Sequence, residues 1–118
     1  MPMTEVSYGG ATPIDGYGPG FFRVGGEVFQ GAVLVTASGA SAWGGWEDTS
    51  LLAGIAEETD VLILGTGEEM TLIPAHFRAT VEALEIGVEP MASATAARTY
   101  NVLLSEGRRV AALLLPVG

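Results

Sequence analysis

The stretch Val88–Leu115 constrains this chain more than any other. It opens on a short extended piece, Val88–Met91, continues through a helix-length run to Gly107, and closes on Val110–Leu115, six consecutive apolar residues. An apolar run without alternation is buried on both faces. In the run before it, Ala96, Tyr100, Leu103 and Leu104 recur at i, i+4, i+7 and i+8, which is one face of a helix. Ser93, or Thr95 if the helix begins later, has the side chain of an N-cap. Gly107 suits the stop, and Arg108-Arg109 places positive charge at the negative end of the helix dipole.

The same grammar holds upstream. Val61–Leu64 is apolar throughout and reads as a central parallel strand. Asp48-Thr49-Ser50 is a helix-start cluster, and Leu51, Leu52, Ile55 and Ala56 give a short apolar face that ends at Thr59-Asp60. A second helix runs from about Pro74, with Ile73, Phe77, Val81 and Leu84 on one side and Gly87 as its stop. Strands alternating with helices call for a mostly parallel or mixed sheet with helices on its faces.

The front of the chain reads differently. Most of the 17 glycines precede residue 55, so turns dominate there. Thr4–Tyr8 suggests a short edge strand, and Ala11–Gly20, with Pro13 and Pro19, an irregular segment. Phe21–Val24 and Glu27–Gln30 flank Gly25-Gly26, a two-residue hairpin signal. Gly31 then redirects the chain, as a bulge, into the strand Ala32–Val35. Ala37–Glu47 reads as a flexible loop carrying Trp43 and Trp46, whose large apolar surfaces favour packing as a lid on a core edge. The alternative for these two rings is a partner or ligand surface.

Composition sets the remaining limits. A chain of 118 residues is a single domain, 1–118, with 48% apolar and 16% charged residues. The net charge is −9, and the five basic residues are all arginines. That balance disfavours nucleic acid, which needs a basic stripe, and anionic membrane surfaces. With no cysteine and one histidine, no thiol chemistry or His-rich metal site is expected, and no cofactor is indicated. The longest apolar stretch, Val110–Val117, is too short to cross a bilayer, and no signal peptide stands at the start. The expectation is a soluble, cytoplasmic protein without membrane insertion.

Three places invite a functional reading. Gly65-Thr66-Gly67 leaves the carboxyl end of a strand, where ligands of α/β sheets collect, although a tight turn explains the glycines as well. On the last helix, Arg98, Asn101 and Ser105 fall away from the apolar stripe, and an arginine and an asparagine together suit a carboxylate or a partner's backbone. Thr99 beside them is a further hydrogen-bonding group. His76 has no partner nucleophile and reads as a surface residue.

The residues Met91, Ala96, Arg98-Thr99-Tyr100-Asn101 and Glu106-Gly107-Arg108 form a pattern that resembles the MTH-type domain family. Gly31–Val35, Trp43, Leu64–Gly67 and Pro74 agree with it, so the resemblance covers about residues 5–115. The family often has an acid and a threonine after the methionine, where this chain has Ala92 and Ser93; a role for that acid does not carry over. The resemblance implies a three-layer α/β fold with a mixed central sheet. The family includes an adipogenesis-associated member and a mitochondrial respiratory complex I assembly factor, and for its bacterial members it implies no established activity.

Together these readings make the chain a three-layer α/β domain: a mixed, mostly parallel central sheet, helices on both faces, and an N-terminal β-hairpin as an added layer. The leading functional expectation is a non-enzymatic interaction or assembly domain with a protein partner, touching it through the Arg98–Asn101–Ser105 face and the Trp43–Trp46 loop. The rival is a small-anion binder or enzyme that uses Gly65, Thr66, Gly67 and Arg98. No catalytic residue and no metal ligand is assigned, and the oligomeric state is left open.

Overall fold

The structure is a computed structural model and describes residues 8–118. Among the described residues, eight strands and three α-helices follow in the order β1 (Ile14–Gly18), β2 (Phe21–Val24), β3 (Glu27–Gln30), β4 (Val33–Thr36), β5 (Gly39–Ala42), α1 (Leu52–Ile55), β6 (Val61–Gly65), α2 (Ala75–Ala83), β7 (Gly87–Met91), α3 (Ser93–Ser105) and β8 (Val110–Leu114). The strands form two sheets. One is β1-β2-β3, antiparallel throughout. The other has the order β5-β4-β8-β6-β7, with β8 parallel to β6, β6 parallel to β7, and β4 antiparallel to both β5 and β8.

The five-stranded sheet separates two cores. Neighbouring residues on a strand point to opposite faces. Accordingly Val33, Val35, Ile63, Ala112 and Leu114 join one cluster, while Leu34, Leu62, Leu64, Ala111 and Leu113 join the other. The first is completed by α3, through Ala96, Ala97, Tyr100 and Leu104, and by Ile14, Phe22 and Val24 of the small sheet. The second is completed by Leu52 and Ile55 of α1, Phe77 and Val81 of α2, and Trp43. This is why the apolar runs at 61–64 and 110–114 lack alternation.

Several local expectations need correction. Ile14–Gly18, expected to be irregular, is a strand with a bulge between Ile14 and Gly16; Pro13 and Pro19 bracket it rather than break it. Gly39–Ala42 is a strand within the stretch expected to be loop, although it contains no β-branched or aromatic residue. Tyr8 is not in a strand, and the rest of the expected edge strand, Thr4–Ser7, lies outside the described residues. Asp48 does not cap α1, whose N-cap is Leu51; instead its carboxylate accepts hydrogen bonds from Gly44 N–H and from the amide and hydroxyl of Ser50. The Ser50 hydroxyl first, then these amides, hold the Asp48 carboxyl below its ordinary pKa. The helix it precedes has only four residues and runs on into one 3-10 turn, Ala56–Glu58.

Helix α2 begins after Pro74, which is its N-cap rather than its first helical residue. It stops before Gly87. Glu85 takes the left-handed turn there, at φ 61°, and Gly87 is already in β7. The hairpin and the stop at Gly107 (φ 77°) stand as the sequence suggests; Gly31 (φ 81°) does turn the chain toward β4, but in a bend between the two sheets rather than as a bulge within a strand.

Candidate functional site

The Gly65-Thr66-Gly67 turn lies where β6 runs out, beside the first residue of α3. Its polar groups are engaged inside the chain. Thr66 N–H donates to the Met91 carbonyl at 2.9 Å, and Gly67 N–H donates to Ser93 Oγ at 2.9 Å. The Ser93 hydroxyl in turn donates to the Leu115 carbonyl at 2.6 Å, and Ser93 N–H donates to the Gly67 carbonyl at 2.8 Å. Ser93 is therefore not an N-cap, which falls to Ala92; it is a fully buried clasp joining the ends of β6, β8 and α3. Thr66 Oγ1 donates to the Glu69 carbonyl at 2.6 Å and accepts from Thr71 N–H at 3.1 Å, shaping the loop that follows. That loop carries Met70 and Leu72 out into solvent, Leu72 at 92% exposure.

The first glycine is required by contact rather than by its dihedral angles. A Cβ at Gly65 would lie 2.7 Å from Ser93 Oγ, 2.7 Å from Leu114 Cδ2 and 3.0 Å from Ser93 Cα. Gly65→Ala is expected to destabilise the fold by about 1–3 kcal/mol, the usual cost of forcing a methyl into a filled core. A denaturant titration checks this, and a loss below about 0.5 kcal/mol would mean that α3 can move away freely.

Helix α3 carries the second group of residues. Arg98 is exposed, and its guanidinium has no ion pair or hydrogen bond among the described residues. Val102, one turn further along the same face, is 54% exposed. Thr99 is half-buried, and Ser105 Oγ donates to the Val102 carbonyl of its own helix.

Asn101 departs from the expectation of a free face. Its Oδ1 accepts from Ile14 N–H at 2.8 Å, and its Nδ2 donates to the Ile14 carbonyl at 2.7 Å. The side-chain amide reproduces the two bonds of a strand pair and clamps β1 to α3. The signal was present in the residue type, since only an amide both donates and accepts in this way. What the sequence lacked was the partner, 87 positions away.

Tyr100, next to it, is wholly buried, and its hydroxyl has no hydrogen-bond partner among the described residues. Burial pushes its pKa up. An orphan hydroxyl in an apolar core is a cost, so Tyr100→Phe is expected to leave stability unchanged or raise it by about 1 kcal/mol. A thermal melt of the two proteins decides it; a clear loss would reveal a partner for the hydroxyl.

Trp43 lies elsewhere. It is buried in the second core, its ring 5.2 Å from Trp46 and 6.0 Å from Phe77, and its indole N–H donates to the Asp48 carbonyl at 2.9 Å. It therefore sits across the central sheet from α3, and Trp43 and Arg98 do not form one site. His76 is exposed, 3.3 Å from a Glu47 carboxylate oxygen. Among the described residues, no three His, Cys, Asp or Glu side chains are grouped so as to hold a metal ion. No helix among them is long and apolar enough to cross a membrane.

Two clefts contain none of the residues singled out from the sequence as binding groups. One, of about 520 Å³, runs past Gly39, Ala40 and Ser41, and its lining includes Val24, Phe29, Leu34, Thr12 and Glu27. The other, of about 310 Å³, is lined by Thr36, Thr59, Glu58, Arg108 and Arg109. Arg109 there is bonded to the Glu57 carbonyl and lies 3.8 Å from Asp60. The sequence offered no signal for the first cleft because the strand beside it, β5, was not legible.

The chain is 48% identical to an uncharacterized protein of Rhodobacter capsulatus, over 99% of this chain and 94% of that protein. It is 30% identical to NADH dehydrogenase [ubiquinone] 1 alpha subcomplex assembly factor 3 of Danio rerio, over 95% of this chain and 67% of that one. Among solved structures, an outer membrane protein from Bartonella henselae superposes with a TM-score of 0.80 at 34% identity, covering 92% of this chain and 98% of the other. A Bordetella pertussis protein described as an Mth938-like domain superposes with a TM-score of 0.77 at 29% identity, covering 98% and 92%. These likenesses agree with the MTH-type resemblance carried by Arg98–Asn101 and Glu106–Arg108. Residues 14–115 match the model of a family described as a protein of unknown function (DUF498/DUF598), and the chain belongs to that family.

Proposed function

We propose that this domain is a non-enzymatic interaction module that helps assemble a protein complex, with the outer face of α3 as a contact surface. The observation that carries the reading is Arg98: an exposed guanidinium without a partner among the described residues, beside the exposed Val102. Arginine next to apolar surface is the composition of specific interfaces. The 30% identity to a protein named as an assembly factor supports the same direction. So does the Gly65–Gly67 turn, because the amides of Thr66 and Gly67 bond Met91 and Ser93 rather than pointing at a ligand.

The test compares affinity capture by the wild type and by Arg98→Ala, with both proteins first shown to melt alike. A set of proteins retained by the wild type and lost with Arg98→Ala is the expected result. Identical, empty captures from both would overturn the proposal.

A further inference from the structure

Sheet edges expose unpaired backbone groups, and proteins guard them with charge, proline, bulges or cover. The two sheets here have four edges, and three are guarded. β1 has a bulge, Asp15, flanking prolines and the Asn101 clamp on Ile14. β3 carries Glu27 at its start and Gln30 at its end. β7 contains Glu89 and Pro90. The fourth, β5, reads Gly39-Ala40-Ser41-Ala42 and carries no charge, proline or bulge, and no described residue pairs with its outer side.

The register shows which groups of β5 are open. Trp43 N–H donates to the Ala32 carbonyl at 3.0 Å, so in the alternating antiparallel pattern Ser41 pairs with Leu34 and Gly39 with Thr36. The N–H and C=O of Ala40 and of Ala42 therefore point away from β4. No hydrogen bond joins them to another described residue. Small side chains leave this backbone uncovered by the described residues, and the 520 Å³ cleft beside it is lined by Val24, Phe29 and Leu34 together with Thr12, Thr36, Ser38 and the carboxylate-bearing Glu27.

We infer that β5 is a docking edge for an extended peptide segment of a partner protein, which adds a sixth strand to the central sheet. The segment pairs its backbone with Ala40 and Ala42, sets bulky apolar side chains at alternate positions into the cleft, and brings a cationic residue to Glu27. A second copy of this chain fits less well. Alanine and serine from another β5 are too small to fill the cleft, and each copy carries a net charge of −9. The inference rests on the interaction reading of the domain but not on Arg98, which belongs to a different surface.

The test uses the full chain against a displayed library of random nonapeptides. Enriched peptides are expected to alternate apolar residues, to include lysine or arginine, and to slow exchange of the Ala40 and Ala42 amide protons about tenfold or more. Ala40→Pro removes one outward donor and leaves the bonds to β4 in place. It is expected to weaken binding about tenfold, the scale of one lost backbone bond together with the clash it brings, with the melting temperature nearly unchanged. Ser41→Lys, which guards the edge and fills the cleft, gives the same loss should the proline variant fold poorly. Arg98→Ala is expected to bind the peptides as the wild type does. The inference is overturned by a library that yields no binder, by binders that protect other amides or ignore both β5 variants, or by protection of Ala40 and Ala42 that rises with protein concentration alone and so marks a second copy.

Discussion

Phe77→Ala is expected to lower stability by about 3–5 kcal/mol, the range for removing a buried aromatic ring from a core. Phe77 has no exposed surface and stands at the centre of the second cluster. Its ring centroid is 5.0 Å from Trp46 and 6.0 Å from Trp43, and Trp43 meets Trp46 edge-on at 5.2 Å. Such pairs contribute beyond the area they bury. The three rings also join parts with little else in common: α2, the segment after β5, and the turn held by Asp48. Truncating Phe77 leaves a cavity that two tryptophans on an irregular segment cannot refill in good rotamers. Chemical denaturation followed by tryptophan emission reads the effect directly, since Trp43 and Trp46 are the two tryptophans of the chain. Emission should shift to longer wavelength in the folded state of the variant. Phe77→Leu retains most of the volume and is expected to cost about 1–1.5 kcal/mol. A loss below about 1 kcal/mol for Phe77→Ala, with unchanged emission, would show that the rings do not hold one another.

Asn101→Ala comes second, with an expected loss of about 2–3 kcal/mol. The substitution removes two hydrogen bonds and leaves the N–H and C=O of Ile14 without partners, and an unpaired buried group costs more than a bond contributes. Ile14 is only 5% exposed, so water replaces the lost amide poorly. The loss should be local as well as global. Exchange of the Ile14 amide proton is expected to quicken well beyond that of Leu113, which lies in the central sheet.

Asn101→Asp sharpens the assignment. The new carboxylate still accepts from Ile14 N–H but faces the Ile14 carbonyl with negative charge. Its folded-state pKa is therefore raised above the unfolded value, and the folded protein binds the extra proton more readily. Stability of this variant should thus increase as pH falls through its titration, because the protonated form can donate to the Ile14 carbonyl. Stability of Asn101→Ala within about 0.5 kcal/mol of wild type, with Ile14 exchange unchanged, would leave the clamp without an energetic role.

Both predictions concern residues whose importance was only half legible. Phe77 could be placed on the apolar face of α2 from its spacing to Ile73, Val81 and Leu84, and the structure buries it there. That it meets both tryptophans could not be read, because aromatic contacts between a loop and a helix leave no periodic trace. Asn101 was rightly placed off the Tyr100–Leu104 stripe. It was then expected to face outward, since β1 itself was not recognised: Asp15, Gly16 and Gly18 are poor strand formers, and the strand exists because β2 and Asn101 pair with it on either side.

The division follows range. Hydrophobic period determined α1, α2 and α3, short apolar runs bounded by turn residues determined β4, β6, β7 and β8, and the Gly25-Gly26 turn determined the β2–β3 hairpin, because these depend on neighbours within a few positions. Tertiary structure decided the rest. It made strands of Ile14–Gly18 and Gly39–Ala42, turned Ser93 from a cap into a buried clasp, and opened the β5 edge. In each case the backbone or side chain satisfies hydrogen bonds with a partner distant in sequence, and that pairing outweighs weak local propensity.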